Sequence, residues 1–188
     1  MVTLLVLTKV MIATIFITSG FSKFRKMDEH IRIVMEYQIL PRKWTVPLAT
    51  IEVYMEIIFG FLLMIGLLQN IVLCFLISLL TIYNLAISIN LIRGRSMISC
   101  GCGGIINNHK LTWFLVHRNL VFILVIVWLI FTDQPFGRVD SLFMGYSFQE
   151  VFPSYIYFEL FLLWSIILFF AVIKQLYILR SQIISLIK

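Results

Sequence analysis

Charge is scarce in this chain: only 13% of its 188 residues are Asp, Glu, Lys or Arg, against 61% hydrophobic residues and a mean hydropathy of +1.02. A water-soluble domain of this length could not keep so much apolar surface from water, so the composition excludes soluble classes and places the chain in a bilayer. Glycine and proline are also few, nine and four, while Phe alone occurs seventeen times. That balance excludes disordered, collagen-like and low-complexity chains. Cysteine occurs three times, too few for a disulfide-stapled secreted scaffold. Acidic residues number nine against fifteen basic ones, giving a net charge of +6 and a pI near 9.4. The basic residues fall between apolar runs, where lipid head groups and membrane topology account for them, so nucleic acid is not an expected partner.

What is abundant is long apolar sequence. A hydrocarbon core of about 30 Å needs roughly 20 apolar residues of helix. Five segments meet that demand, Val2 to Phe21, Val46 to Leu68, Ile71 to Ile92, Trp113 to Phe131 and Tyr155 to Ile173. The expected fold is therefore all-α, a polytopic membrane bundle forming a single domain over residues 1–188. The first segment lacks a charged leading region and a cleavage site and carries Lys9 within it, which reads as a retained helix rather than a secretory signal. Between the first two segments, Ile31, Val34, Met35 and Ile39 recur at helical spacing opposite Arg32, Glu36 and Gln38, the pattern of an interfacial helix closed by Pro41. Gln69 and Asn70 are nearly all that joins the second and third segments, which forces a tight antiparallel hairpin.

Orientation follows from the cations. Six Lys and Arg lie between Ser22 and Thr45, three follow the third segment and three lie in the tail, all on one side, against Arg138 on the other. The positive-inside rule then puts the N-terminus outside and the C-terminus inside a multi-pass protein of the cell membrane.

Some polar residues fall inside the apolar segments. Glu52 and Glu56 share one helical face, and an unpaired carboxylate there is costly, so each must be protonated, paired or facing a polar cavity. Lys9 and Arg118 are the expected partners. Two roles stay open for the group: structural pairing that fixes the bundle, or proton movement. Cys74, Ser78, Thr81, Asn84 and Ser88 form a stripe on the third segment that is expected to point inward as packing and hydrogen-bonding positions.

Cys100 and Cys102 are separated by one glycine and followed by Gly103 and Gly104. Two cysteines so spaced can be bridged, but the small ring is strained, and a strained disulfide exchanges more readily. The glycines permit turn conformations that expose the sulfurs, while Arg95, Lys110 and the start of the fourth helix favour the thiolate. Reversible thiol–disulfide exchange is the leading reading. Two others stay open: a thiophilic metal held by Cys100, Cys102 and His109, for which the spacing matches no common site, and an inert glycine turn with packed thiols.

These pieces together resemble the MauE/DoxX-like family of membrane proteins, in its MauE branch. The likeness runs in order through Phe21-Ser22-Lys23-Phe24-Arg25, Tyr37-Gln38-Ile39-Leu40-Pro41, Glu52 and Glu56, Leu91-Ile92-Arg93-Gly94-Arg95, Cys100-Gly101-Cys102, and Trp113 with Arg118-Asn119, covering Leu5 to Ile130. Family members usually carry Phe where Gly103 stands, a departure that removes a packing side chain but neither sulfur. The resemblance implies a redox-associated membrane protein that supports maturation of a disulfide-rich exported enzyme subunit beside a thioredoxin-like partner. A looser likeness of arrangement to vitamin K epoxide reductase-type proteins sets a cysteine pair at the start of a fourth helix in a quinone-using bundle. It also raises a conflict, because disulfides form outside the cytoplasm whereas the cation count puts Cys100 and Cys102 inside.

The expected function is therefore a membrane thiol–disulfide redox protein working through Cys100 and Cys102, with Glu52, Glu56, Lys9, Arg95, Arg118 and Trp113 in support. A thioredoxin-like protein or a cysteine-containing client is the partner this chemistry calls for. A quinone is an admissible electron acceptor, although no motif marks a site for it. Two rival classes remain open. One is a non-enzymatic assembly or immunity subunit; the other is a small transporter using the intramembrane carboxylates, which would fail on Glu52→Gln yet tolerate loss of the cysteines.

Overall fold

Apolar runs of this length become helices because hydrocarbon offers the backbone no hydrogen-bond partner, leaving the helix to satisfy its own amides. The computed structural model describes residues 2–99, 110–132 and 135–187, with only the backbone described for residues 2 and 3 and for much of the last helix. The elements in order are α1 (Val2–Arg25), α2 (Met27–Glu36), α3 (Arg42–Ile65), α4 (Gln69–Ile92), α5 (Trp113–Phe131), α6 (Val139–Phe143), α7 (Phe148–Val151) and α8 (Ser154–Ile187). Among the described residues, four helices (α1, α3, α4 and α5) are long and apolar enough to cross a membrane. The fifth expected segment lies within α8, a helix of 34 residues.

Two helix pairs organise the bundle, α1 with α3 and α4 with α5. Glycine sets the first. A Cβ added at Gly20 would come within 2.6 Å of Ile57 Cγ1, and one at Gly60 within 2.8 Å of Ile17 Cγ1. The backbones therefore approach more closely than any larger residue allows, the usual device for helix contact in a membrane, where lipid is as apolar as the side chains. The main core is shared by Ile12, Ala13 and Phe16 of α1, Leu63 of α3, Leu73 and Leu76 of α4, and Ile126 and Leu129 of α5. Ile82 and Leu85 of α4, and Val121 and Leu124 of α5, are exposed and suit contact with lipid tails.

The expected stripe on α4 turns inward only at its far end, where Asn84 and Ser88 are partly buried. Cys74, Ser78 and Thr81 are exposed, and Leu73, Leu76 and Leu80 fill the interior in their place. The hydroxyls of Ser78 and Thr81 donate to the carbonyls of Cys74 and Ile77, 3.0 Å and 2.7 Å away. A hydroxyl satisfied one turn back on its own helix can face lipid, so small polar residues alone do not mark the packed face.

The α3–α4 hairpin turns at Gly66 to Leu68, slightly earlier than Gln69 and Asn70 suggest. Gly66 has φ +70°, and a Cβ there would strike the Gly137 carbonyl at 2.6 Å. The Asp140 carboxylate accepts from Leu68 N at 2.9 Å and Gln69 N at 3.1 Å, capping the start of α4. The connection leading to α6 thus closes one end of the bundle. The opposite end carries α2, the start of α3 and the end of α4.

Candidate functional site

Ala13, Phe16, Gly20 and Lys23 follow one another at intervals of three and four residues, so they share one face of α1, and that face meets α3. Because α1 continues to Arg25, Lys23 belongs to the helix and is only 4% exposed. Its Nζ lies 2.8 Å from Glu52 Oε1 and 2.8 Å from Glu56 Oε2, both one helical turn apart on α3. The Tyr83 hydroxyl of α4 lies 3.0 Å from the same ammonium and donates to Glu52 Oε1. His30, on the buried face of α2, places Nε2 2.7 Å from Glu52 Oε2. Four helices thus converge on one ionic cluster.

The arrangement explains how two carboxylates are tolerated in an apolar helix. One ammonium serves both, and the phenol and imidazole occupy further carboxylate lone pairs, which is the condition under which buried ions persist. Two carboxylates and one ammonium leave one formal negative charge, so a single proton held within the cluster brings it to neutrality. His30 Nδ1 is buried without a partner among the described residues.

Beside the cluster lies a cavity of about 520 Å³. Lys23, His30, Glu52 and Tyr83 form its polar end, and Ile33, Val34, Leu48, Leu79, Ile82 and Leu85 are among its apolar walls. Tyr37 and Ile87 also line it, and both pack in a small core with Ile98, Leu111 and Leu115. Ile98 and Leu111 stand just outside an isolated bridge between Ser99 and Lys110. The cavity wall and the stem of the cysteine-bearing segment are therefore one packed unit.

Of the residues singled out from the sequence, Glu52 and Glu56 meet as their spacing requires, but their expected partners are elsewhere. Lys9 is buried near the other end of α1, fourteen residues before Lys23 and so about 21 Å along the helix axis, and donates to the Gly137 carbonyl. Arg118 donates to Asn119 Oδ1 at 3.2 Å on its own helix. Lys23 takes the role because the membrane helix runs four residues past Phe21. Arg95 braces the stem, with Nη2 2.6 Å from Gln38 Oε1. Trp113 opens α5 with its side chain exposed. Cys100, Cys102 and His109 lie outside the described residues.

Sequence reasoning missed Lys23, His30 and Tyr83. The signal was present as spacing: Lys23 extends the Ala13–Phe16–Gly20 stripe, His30 precedes Ile33 by three residues, and Tyr83 stands between Leu80 and Ile87 on the inner face of α4.

A profile of the family described as methylamine utilisation protein MauE matches residues 1–132. The chain belongs to the MauE family. Similar proteins include the methylamine utilization protein MauE of Methylophilus methylotrophus, 29% identical over 91 residues covering 48% of each chain. That of Paracoccus denitrificans is 28% identical over 113 residues, 60% of this chain and 61% of the other. That of Paracoccus versutus is 31% identical over 110 residues, 58% and 59% respectively. The chain thus spans about half to three-fifths of the length of these curated relatives. No solved structure matches it. The MauE region ends with α5, so it contains the whole ionic cluster and both cysteines of the pair, while α6, α7 and α8 follow it.

Proposed function

We propose that this MauE-family membrane protein is a thiol–disulfide redox protein in which Cys100 and Cys102 cycle between dithiol and disulfide to support disulfide formation or maturation of a partner or exported protein. In the forward direction two S–H bonds are lost and one S–S bond forms, with two electrons and two protons passing to an oxidant; exchange with a client disulfide runs through a mixed disulfide. Cys102, nearer α5, is assigned the attacking thiol. The observation that carries the reading is the Cys-Gly-Cys stretch within the family-matched region, between Ser99 and Lys110, whose pairing fixes both ends of the segment on the bundle. The relatives are named for methylamine utilisation, which supports a client in that process, and a thioredoxin-like protein or a cysteine-containing exported subunit is the partner of matching chemistry.

The test is to replace each cysteine by serine in turn and look for a trapped mixed disulfide in membranes. One single variant is expected to accumulate a covalent complex that reductant dissolves, and the double variant to lose function. If neither single variant traps a partner and the double variant works, the proposal fails. The transporter reading gains nothing from the ionic cluster, because Lys23 bridges both carboxylates, the arrangement a fixed structural pairing needs.

A further inference from the structure

We infer that α6 and α7 form a lipid-binding crest, with Phe143, Met144, Tyr146 and Phe148 seated in the head-group and upper acyl layer of the bilayer, at the end of the bundle remote from the ionic cluster. The segment is inside out for a loop in water. Arg138 and Ser141 are only 7% and 2% exposed, and the Asp140 carboxylate is spent on the first amides of α4. Phe143 and Met144, by contrast, leave 82% and 72% of their surface uncovered. Water selects the opposite order, polar groups out and apolar groups in, so the medium around this tip is apolar.

The crest is held at the height of the bilayer boundary. Asp140 N donates to the Gly66 carbonyl at 3.3 Å, in the turn between two spanning helices, and Lys9 of α1 donates to the Gly137 carbonyl. Gly137 N donates to the Val151 carbonyl at 2.8 Å and closes the base of the segment. Phe143 stands three residues beyond Asp140, a rise of roughly 5 Å even if α6 stood upright. A head-group layer is itself about 5–7 Å deep, so the tether is too short to lift the crest clear of it. Leu68 and Ile71 near the start of α4 and Phe131 at the end of α5 are exposed at this same end, where Lys9, Gln69, Leu129 and Phe136 line one small hollow. The apolar surface that the spanning helices offer to lipid thus continues onto the crest.

The chemistry of the contact is that of the uncharged interface. Residues 139–153 contain no Lys or Arg, and of their two carboxylates Asp140 caps α4 while Glu150 closes the capping box with Ser147. Anchoring therefore rests on Phe, Met and Tyr, the kind of side chain that belts membrane proteins, and not on attraction to anionic head groups. The crest follows the family-matched region and leads at Ser154 into α8, so it sets the height at which that added helix enters the bilayer.

The test is nitroxide accessibility by electron paramagnetic resonance on the full chain, one copy per phosphatidylcholine nanodisc. Met144→Cys or Phe148→Cys carries the label in a Cys74→Ala/Cys100→Ser/Cys102→Ser background. Oxygen concentrates among acyl chains and a chelated nickel reagent in water. Both labels are expected to collide more with oxygen than with nickel, and equally so when anionic phosphatidylglycerol is mixed in. Phe143→Asp should swing the label at Phe148 towards nickel, because a charge resists the apolar layer. Helix content is read alongside. If the cysteine-free background misfolds, Met144→Trp in the chain with its native cysteines reads the same contact, as quenching beyond that of the parent chain by lipids brominated near the head group. Labels dominated by nickel overturn the proposal, being the result of a crest that faces water and waits for a protein partner. Labels shielded from both reagents overturn it too, since the tip is then packed on protein. So do contact that needs phosphatidylglycerol, a balance that Phe143→Asp leaves unchanged in a folded protein, and absence of the added quenching.

Discussion

Lys23 holds one ammonium 2.8 Å from each of two carboxylates while almost fully withdrawn from solvent. The energetics of such a group are lopsided: forming it gains little over an apolar core, but removing one partner strands the rest. Lys23→Met is therefore expected to destabilise the folded protein by about 3–5 kcal/mol. Combining it with Glu52→Gln and Glu56→Gln should recover much of that loss, as no charge is then left alone. Denaturant unfolding in detergent checks both; a single variant as stable as the parent contradicts the assignment. The carboxylate pair was legible in the sequence because its four-residue spacing fixes a shared face whatever surrounds it. The partner was not, because helix ends in apolar runs are blurred, and a lysine two residues beyond the last Phe of the run looks like a loop cation until the helix is known to continue.

At the scale of elements, α1 and α3 meet through Gly20 and Gly60, and the ionic cluster lies a turn or so beyond that crossing. Gly60→Val inserts a branched side chain against Ile17 and the Ala13 carbonyl, forcing the helices apart at an expected cost of about 1–3 kcal/mol. The matching readout is thermal unfolding, and an unchanged transition would mean the helices do not cross there. The short helix α7 offers a pH test. Glu150 accepts from Ser147 N at 2.8 Å, and Ser147 Oγ accepts from Glu150 N at 3.3 Å. The backbone hydrogen bond from Ser147 holds the Glu150 carboxyl below its ordinary value. A carboxyl depressed in the folded state contributes its stabilisation above the unfolded value and loses it as pH falls through the folded one. Once corrected for the intrinsic pH dependence of exchange, the protection of the Ser147 and Glu150 amides should therefore fall on acidification, and Glu150→Gln should abolish that fall. The main helices were legible because apolar length leaves a bilayer chain few options. The inner face of α4 was misjudged because Ser and Thr satisfied by their own helix can face lipid.

For the whole molecule, the Lys and Arg from the end of α1 to the start of α3, and those between α4 and α5, gather at the end that carries the ionic cluster, the cavity mouth and the stem at Ser99 and Lys110. The charge bias predicts that this end faces the cytoplasm. A membrane-impermeant thiol reagent should then leave Cys100 and Cys102 unmodified in intact cells and label them after lysis; labelling of intact cells would reverse the orientation. The cavity itself was not legible in the sequence, since it arises from residues on α1, α2, α3 and α4 that no single periodicity connects. The central claim remains the reversible chemistry of the cysteine pair, and the most direct measurement is alkylation mass spectrometry of the protein in its membrane under oxidising and then reducing conditions. Loss of two alkylation events at Cys100 and Cys102 on oxidation, fully restored by reductant with Cys74 unchanged, is the expected result. Identical labelling of the pair under both conditions would contradict it.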